Sequence, residues 1–387
     1  MEFDVIIVGG GLAGASLAVS LRTTQRRIAL IETTPPRLPQ GWDQRVYAVS
    51  AASRNFLSKL GVWERLDSDR VQSVREMHVY GDDGGKLHFS AYEAGLGSLA
   101  WIVESARLQH ELWETLKRQH NVELFSPANA ENIVIDEDAV AVQLAGGRSL
   151  RARLLVGADG GRSRVREAAG IGANVRPYGE LGVVANFLCE KPHHGVARQW
   201  FRDDAVLAWL PLPGKRISIV WSAPEERARE LLSLDPQSFS QTVSAGGDDE
   251  LGRLELEGER AAFPLHLMRV SEYVRARVAL IGDAAHGIHP LSGHGINLGF
   301  SDAAELAVRL ENLPEWRDPG ELSVLRGYAR ARAEEPVMLQ SMTHMLNRLF
   351  RGRHPVLRFV RNEGMNLTGC LPVLRSALIR YATSGKF

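Results

Sequence analysis

The sequence predicts a mixed α/β chain: a nucleotide-binding sheet of parallel strands covered by helices, an inserted antiparallel β-sheet domain, and a helical C-terminal tail. A strand–glycine turn–helix–strand unit opens the chain at residues 4–32. Two more apolar runs, "LLVGADGG" at 154–161 and "VALIGDAA" at 278–285, also end in glycine and aspartate. Between roughly 180 and 265 short alternating segments replace that pattern. The nucleotide-binding half is thus expected in three pieces, 1–72, 97–178 and 266–330, with the β-rich half at 73–96 and 179–265. Residues 331–387 form the tail.

In chain order, Val5, Ile6, Ile7 and Val8 form an apolar run suited to a strand covered on both faces. Gly9-Gly10-Gly11-Leu12-Ala13-Gly14 fits GxGxxG and leads into the helix-forming stretch Ala15–Leu21. The first glycine allows a tight turn, the second lets a pyrophosphate approach the backbone, and the third permits close helix–strand packing. The helix N-terminus then offers free N–H groups to the phosphate. "RIALIE" returns as a strand ending at Glu32, a carboxylate placed to accept hydrogen bonds from a ribose. This Rossmann-like unit does not by itself distinguish NAD from FAD.

After the Pro/Gly-rich connection "TTPPRLPQGWDQ", a helix is expected over "SAASRNFLSKLGVWERL", stopped by Gly61. "EMHVYGDDGGKLHFSA" reads as a β-hairpin about an Asp-Gly-Gly turn. Residues 105–118 read as helix, and "RARLLVGADGGRSRVREAAG" as strand, tight turn and helix. "GVVANFLCE", "RQWF", "AVLAWLPLPG" and "RISIVWSA" are the strands of the insertion. Residues 296–310 and 321–349 are expected to be helical.

Composition narrows the classes. Lys plus Arg and Asp plus Glu are 46 each, so no net field recruits nucleic acid. Cys189 and Cys370 are too few for a disulfide framework and do not make a zinc pair. The N-terminus lacks the basic segment of a signal peptide, and no run of eighteen apolar residues occurs, so a cytoplasmic protein is expected.

"LIGDAAHGIHPLSGHGINLGF", residues 280–300, raises the question of a metal site built from His286, His289 and His294. Gly287, Pro290 and Gly293 argue against a regular helix presenting them together, and no cysteine or carboxylate cluster accompanies them. No metal is expected. The alternative is a loop shaped to lie against a flat ring. Gly293, Gly295 and Gly299 keep side chains away, and the helix starting near Ile296 and Asn297 aims N–H groups at it.

The GxGxxG unit, "GADGGRSR" and "LIGDAAHGIHPLSGHGINL", in this order over almost the whole chain, resemble the single-component FAD-dependent aromatic hydroxylases. "WDQRVYAVSAASRNFLSKLGVWERL", "VLAWLPLPGKRISIVWS" and "VRNEGMNLTGCLPVLRSALIRYA" are similar to their ubiquinone-biosynthesis branch. The resemblance implies a p-hydroxybenzoate-hydroxylase-like fold and an FAD cofactor. It also implies O2 as co-substrate and NAD(P)H or another reductant as electron donor. Gly9, Gly11, Leu12, Ala13, Gly14, Glu32, Arg45, Asp159, Asp283, Gly293, Gly295, Ile296 and Asn297 would hold the cofactor, with Asp283 on the ribityl chain. Pro290 and His294 would line the flavin. Many relatives carry Thr where Gly287 stands and Gln where His294 stands, and Ser105 occupies a position that is Arg or Gln in more distant relatives. The implied reaction transfers oxygen from a flavin C4a-hydroperoxide to the ring of a polyprenyl phenol. Trp200, Phe201, Trp209 and Trp221 are candidates either for the substrate wall or for ordinary core. Hydroxylation of another aromatic metabolite, or a flavin-bound non-oxygenase subunit, stays open as an alternative.

From Arg348 onward the chain has seven Arg and one Lys against a single acid, Glu363. Such a basic, apolar-dotted tail suits either peripheral contact with the inner face of a membrane or with other quinone-biosynthesis proteins, or packing on its own body.

Overall fold

The computed structural model describes residues 1–202, 205–289, 293, 295–351 and 355–370. Five parallel strands form the spine of the first sheet, in the order Val278–Leu280, Ser149–Gly157, Glu2–Val8, Ile28–Ile31 and Val122–Phe125. Alternate residues of the central strand face opposite ways into two apolar layers. Val5 and Ile7 pack with Leu17, Leu112 and Leu306, whereas Ile6 and Val8 pack with Val140, Leu155 and Val165. Both faces are covered, which is why this strand reads as a continuous apolar run.

The second sheet has eight strands, running from His286–Gly287 through Leu254–Val270, Ala173–Cys189, Arg216–Pro224, Ala205–Leu212, Val196–Arg202 and Glu76–Tyr80 to Lys86–Ser90. The expected hairpin is therefore its far edge. A small third sheet joins Val46–Val49, Ala100–Glu104 and Val71–Val74. Ala173–Cys189 and Leu254–Val270, seventeen residues each, pair antiparallel and run without interruption past residues 179 and 265.

One feature of the insertion differs from the sequence expectation, and it decides an alternative left open there. Residues expected to continue the sheet instead form helices Glu225–Ser233 and Pro236–Gly246, the second capped by Asp235, whose carboxylate accepts from the N–H groups of Gln237 and Ser238. Each buries only a narrow stripe, Ala228 and Leu231 in one and Phe239 and Val243 in the other, so their apolar signal is thin. These helices also decide the fate of the tryptophans. Trp200, Trp209 and Trp221 are buried in the layer between the sheet and the helices, with Gly247 and Gly246 flush against Trp209 and Trp221. Phe201 stacks on Phe350, 4.0 Å between ring centroids. Core packing, not a substrate wall, accounts for all four.

The stretch expected as one helix over 321–349 is two, Leu322–Ala331 and Glu334–Arg351, and the tail continues with helix Pro355–Cys370. The last of these lies on the hairpin: Asn362 accepts from the N–H of Gly85, and Arg361 pairs with Asp82.

A buried carboxylate fastens the 295–311 helix to its surroundings. Asp302 accepts from the Gly282 N–H at 2.9 Å, from His286 Nε2 at 2.6 Å and from Arg332 Nε at 2.7 Å. Burial alone would lower the basicity of His286; the charge and hydrogen bond of Asp302, with Asp283 beyond, raise it instead. Burial pushes Asp302 the other way too, but His286 and Arg332 hold it below the ordinary carboxylate range. The stability from this pair is present between the ordinary Asp and His ranges. It is lost as pH falls through the lowered Asp302 value, and again as pH rises through the raised His286 value. Asp302→Ala takes from buried His286 its carboxylate and from Arg332 one of its two, and denaturant unfolding is expected to show a loss of about 3–5 kcal/mol at neutral pH.

Candidate active site

The register of the parallel sheet aligns the ends of four strands. Val8 pairs with Ile31 and with Gly157, and Gly157 pairs with Leu280. The residues that follow these ends are Gly9, Glu32, Ala158-Asp159 and Ile281-Gly282-Asp283. All the glycine- and acid-bearing motifs of the sequence therefore leave the sheet along one carboxyl edge, the place where doubly wound sheets bind ligands.

The glycines have distinct tasks there. Gly9 has φ +105°, and a Cβ on it would lie 2.2 Å from the carbonyl oxygen of Ala158. A Cβ on Gly14 would lie 1.9 Å from the Gly9 carbonyl oxygen, so this glycine sets the approach of the helix Leu12–Ser20 to its strand. Gly11 differs: nothing stands within 4 Å of its Cβ position. It caps the helix without a side-chain bond and leaves an open approach to the first-turn N–H groups. Ala13 packs against Gly282 and Gly299, with Cβ positions 3.2 and 3.4 Å from its own, which locks the first helix, the Gly-Asp loop and the 295–311 helix together. Leu12 is buried in the core.

Glu32 Oε2 accepts from the Gly10 N–H at 2.6 Å and Oε1 from the Thr34 N–H. Asp159 caps the next helix, its Oδ2 accepting from the N–H groups of Arg164 and Val165, while Oδ1 is buried with no partner among the described residues. Asp283 is exposed at the mouth of the site. Arg45 is exposed with its guanidinium 5.5 Å from the Tyr47 ring centroid. Burial raises the pKa of Tyr47, Arg45 opposes this and Asp283 adds to it, so these three groups share one electrostatic neighbourhood.

Gly293 has φ +61° and faces Ala48. Gly295 opens the 295–311 helix with space at its Cβ position. Ile296 packs against the core. The side chain of Asn297 is fully engaged by backbone: it accepts from the Ser50 N–H and donates to the carbonyls of Ala48 and Gly293. That side chain is therefore committed to the fold and not to a ligand. Pro290 and His294 lie outside the described residues.

His286 and His289 are both buried, and they point to different partners. His286 meets Asp302, while His289 Nε2 lies 2.9 Å from Glu180 Oε2. The two histidines thus do not converge on a common ion.

Several residues that organise the site escaped the sequence reading. Glu104 is fully buried and accepts from Arg70, Arg107 and the Asp43 N–H. Asp43 in turn accepts from the N–H groups of Arg45 and Ala106, joining the Asp43-Gln44-Arg45 segment to the start of helix Ser105–Leu116. From that helix Gln109 and Trp113 both donate to the Gly10 carbonyl, at 3.1 and 2.8 Å. Arg107 is committed to Glu104. Only Trp113, an aromatic inside a polar helix, gave any hint in the sequence.

A glycine-lined carboxyl edge of a parallel sheet, joined to a large antiparallel sheet, is the arrangement of a dinucleotide-binding protein. The FAD binding domain family model matches residues 2–338, and the chain belongs to this family, among its FAD-dependent monooxygenases. It is 34% identical to ubiquinone hydroxylase UbiL of Rhodospirillum rubrum, covering 98% of this chain and 89% of that one. It is 32% identical to the 3-demethoxyubiquinol 3-hydroxylase of Escherichia coli, covering 98% of each. The crystal structure of p-nitrophenol 4-monooxygenase PnpA from Pseudomonas putida shares the fold, with a TM-score of 0.81 at 21% identity, over 98% of this chain and 97% of that one. The expected family, fold class and FAD dependence all stand.

The open space at Gly11 and the unpartnered Asp159 oxygen fit a bound dinucleotide. Gly11→Val is expected to leave the apoprotein's melting temperature unchanged while lowering FAD affinity by about tenfold or more, about 1.4 kcal/mol. Gly9→Ala, by contrast, is expected to lower the melting temperature itself. Flavin absorbance after desalting and thermal unfolding of the apo forms distinguish the two.

Proposed function

We propose that this enzyme hydroxylates the aromatic ring of a polyprenyl phenol intermediate in ubiquinone biosynthesis. The observation that carries the proposal is the in-register carboxyl edge with its open Gly11 approach, in a chain whose relatives are named ubiquinone hydroxylases. Bound FAD supplies the redox chemistry, taking two electrons from NAD(P)H or another reductant and delivering one atom of O2 to the ring while the other leaves as water.

The chain's own contribution is binding, orientation and exclusion of water. In this proposal Gly9, Gly11, Leu12, Ala13 and Gly14 receive the diphosphate through their backbone, and Glu32 accepts from the ribose hydroxyls. Asp283 holds the ribityl chain. Arg45 and the Asp159 turn flank the cofactor. Main-chain N–H groups at Gly293, Gly295, Ile296 and Asn297 stabilise negative charge on the ring. In this proposal the nucleotide-binding half comprises 1–72, 97–178 and 266–330 and the substrate half 73–96 and 179–265, with the strands Ala173–Cys189 and Leu254–Val270 crossing the boundaries between them.

With the tryptophans assigned to the core, the opposite face of the large sheet is the substrate wall. Asn186 and Ser218 are cross-strand partners on that face and both are fully buried. Asn186 donates to the Asp43 carbonyl, which sets this face against the Arg45 segment. Its Oδ1 and the Ser218 Oγ lack partners among the described residues, leaving polar atoms for a phenolic substrate. FAD-loaded protein with reductant is expected to consume O2 in proportion to a prenylated phenol added. Ser218→Ala should raise KM by about two- to tenfold, the span of one hydrogen bond. Flavin-loaded protein that consumes no O2 with any such phenol would overturn the assignment.

A specific observation favours lipid contact for the tail. Met345, Phe359 and Leu367 are each at least 64% exposed, on the helices that also carry Arg348 and Arg358. No helix among the described residues is long and apolar enough to cross a membrane. We propose that these helices rest on an anionic lipid surface, which suits a substrate with an isoprenoid tail. The triple variant Met345→Glu, Phe359→Glu, Leu367→Glu should lose flotation with anionic liposomes; flotation equal to the wild type would refute the contact.

A further inference from the structure

The hairpin at the far edge of the large sheet carries a group of side chains that ring hydroxylation does not use. His78 and His88 stand directly opposite each other on its two strands. Glu76 precedes His78 by two residues, so the period of the strand puts it on the same face. Nε2 of each histidine lies 3.1 Å from one and the same atom, Oε2 of Glu76. The two imidazoles meet nearly edge to face, 4.7 Å between centroids and 82° between planes. All three groups are partly open to solvent.

Two ring nitrogens aimed at one carboxylate oxygen need two N–H protons directed at the same acceptor. A single cation satisfies all three atoms at once. A tetrahedral Zn2+ with bonds of about 2.0–2.1 Å to nitrogen and oxygen separates its ligand atoms by about 3.3 Å. The observed nitrogen-to-oxygen separations are already close to that edge, and the three ligand atoms lie within 4.8 Å of one another. We propose that Glu76, His78 and His88 form a binding site for a divalent transition ion of the Zn2+ class, with the fourth position open to water.

The ligand set suits such an ion. Imidazole and carboxylate together favour borderline first-row ions over Mg2+ and Ca2+, which take oxygen ligands. Glu76 is held below the ordinary carboxylate range first by the hydrogen bond from His78, and burial lowers the pKa of His78. Arg198 acts on His78 with a like charge and works against a cation; the Glu76 carboxylate offsets it.

Its place in the fold separates this site from the redox centre. Five strands stand between Glu76–Tyr80 and the His286–Gly287 strand beside the Gly-Asp loop, so at about 4.8 Å per strand the two lie roughly 25–30 Å apart. An ion here would cross-link the two strands of the edge hairpin. Their turn is the seat of the C-terminal helix, through Asn362 on Gly85 and Arg361 on Asp82. Metal occupancy would therefore stiffen the platform on which that helix rests.

Titration of zinc chloride into the tag-free, full-length, FAD-loaded protein, stripped with EDTA, tests this by calorimetry and thermal unfolding. One ion per chain and a higher melting temperature are expected, and His88→Ala and Glu76→Gln should each weaken binding by at least about tenfold. Flavin content verifies that each variant is folded, and His78→Gln, which keeps the side-chain polarity, replaces any that is not. Failure of the wild type to bind, or binding of equal strength in the folded variants, would overturn the proposal. Neither outcome depends on the identity of the aromatic substrate.

Discussion

The position of the Gly-Asp loop depends on a carboxylate shielded from water. Asp302 sits in the middle of the 295–311 helix with no exposed surface, holding the Gly282 N–H, His286 and Arg332 at once. Arg332 ends the next helix and also pairs with Glu335, at the start of the one after. Three helices and a loop thereby share one buried charge network. An ionic group of this kind contributes less to net stability than its contacts suggest, because desolvation opposes the attraction. What it does supply is one position for the loop, since any other would leave a buried charge unpaired. The loop must stand in line with the Gly9 turn, and Ala13 lies close against Gly282, 3.2 Å from its Cβ position, where φ is +60°.

A second buried carboxylate has the corresponding task on the other side of the site. Glu104 collects Arg70, Arg107 and the Asp43 backbone, and Asp43 caps the helix that carries Gln109 and Trp113 to the Gly10 carbonyl. The glycine turn is thus held from behind by its strand, from one side by Ala158, and from the other by an indole and an amide. Rigid support of this kind keeps a backbone-lined cradle at the right width without side chains entering it.

How much of this was legible in the sequence follows from the range of each interaction. GxGxxG, the Glu32 strand end, the Asp159 turn and the Gly-Asp loop are local patterns, and the parallel register brings all four to one edge. The hairpin at 76–90 was legible for the same reason. Asp302 was not: within "SDAAELA" it looks like a surface residue of an amphipathic helix, and its partners lie sixteen to thirty positions away. Glu104 and Asp43 depend on contacts across sixty residues. The tryptophans were ambiguous because alternation in a strand does not say which face meets helices and which meets substrate. The helices at 225–246, with their thin apolar stripes, decided that question. The His78–His88 pair needs the register of the hairpin turn, which the sequence indicates only approximately.

Holding FAD on that edge, this chain inserts one atom of molecular oxygen into an aromatic ring. Isotope transfer tests it most directly. Purified FAD-loaded enzyme is supplied with a reductant, a prenylated phenol and 18O2 in ordinary water, and the product is analysed by mass spectrometry. One labelled oxygen per hydroxylated ring is the predicted result. Hydroxylated product that takes its oxygen from labelled water instead would contradict the account.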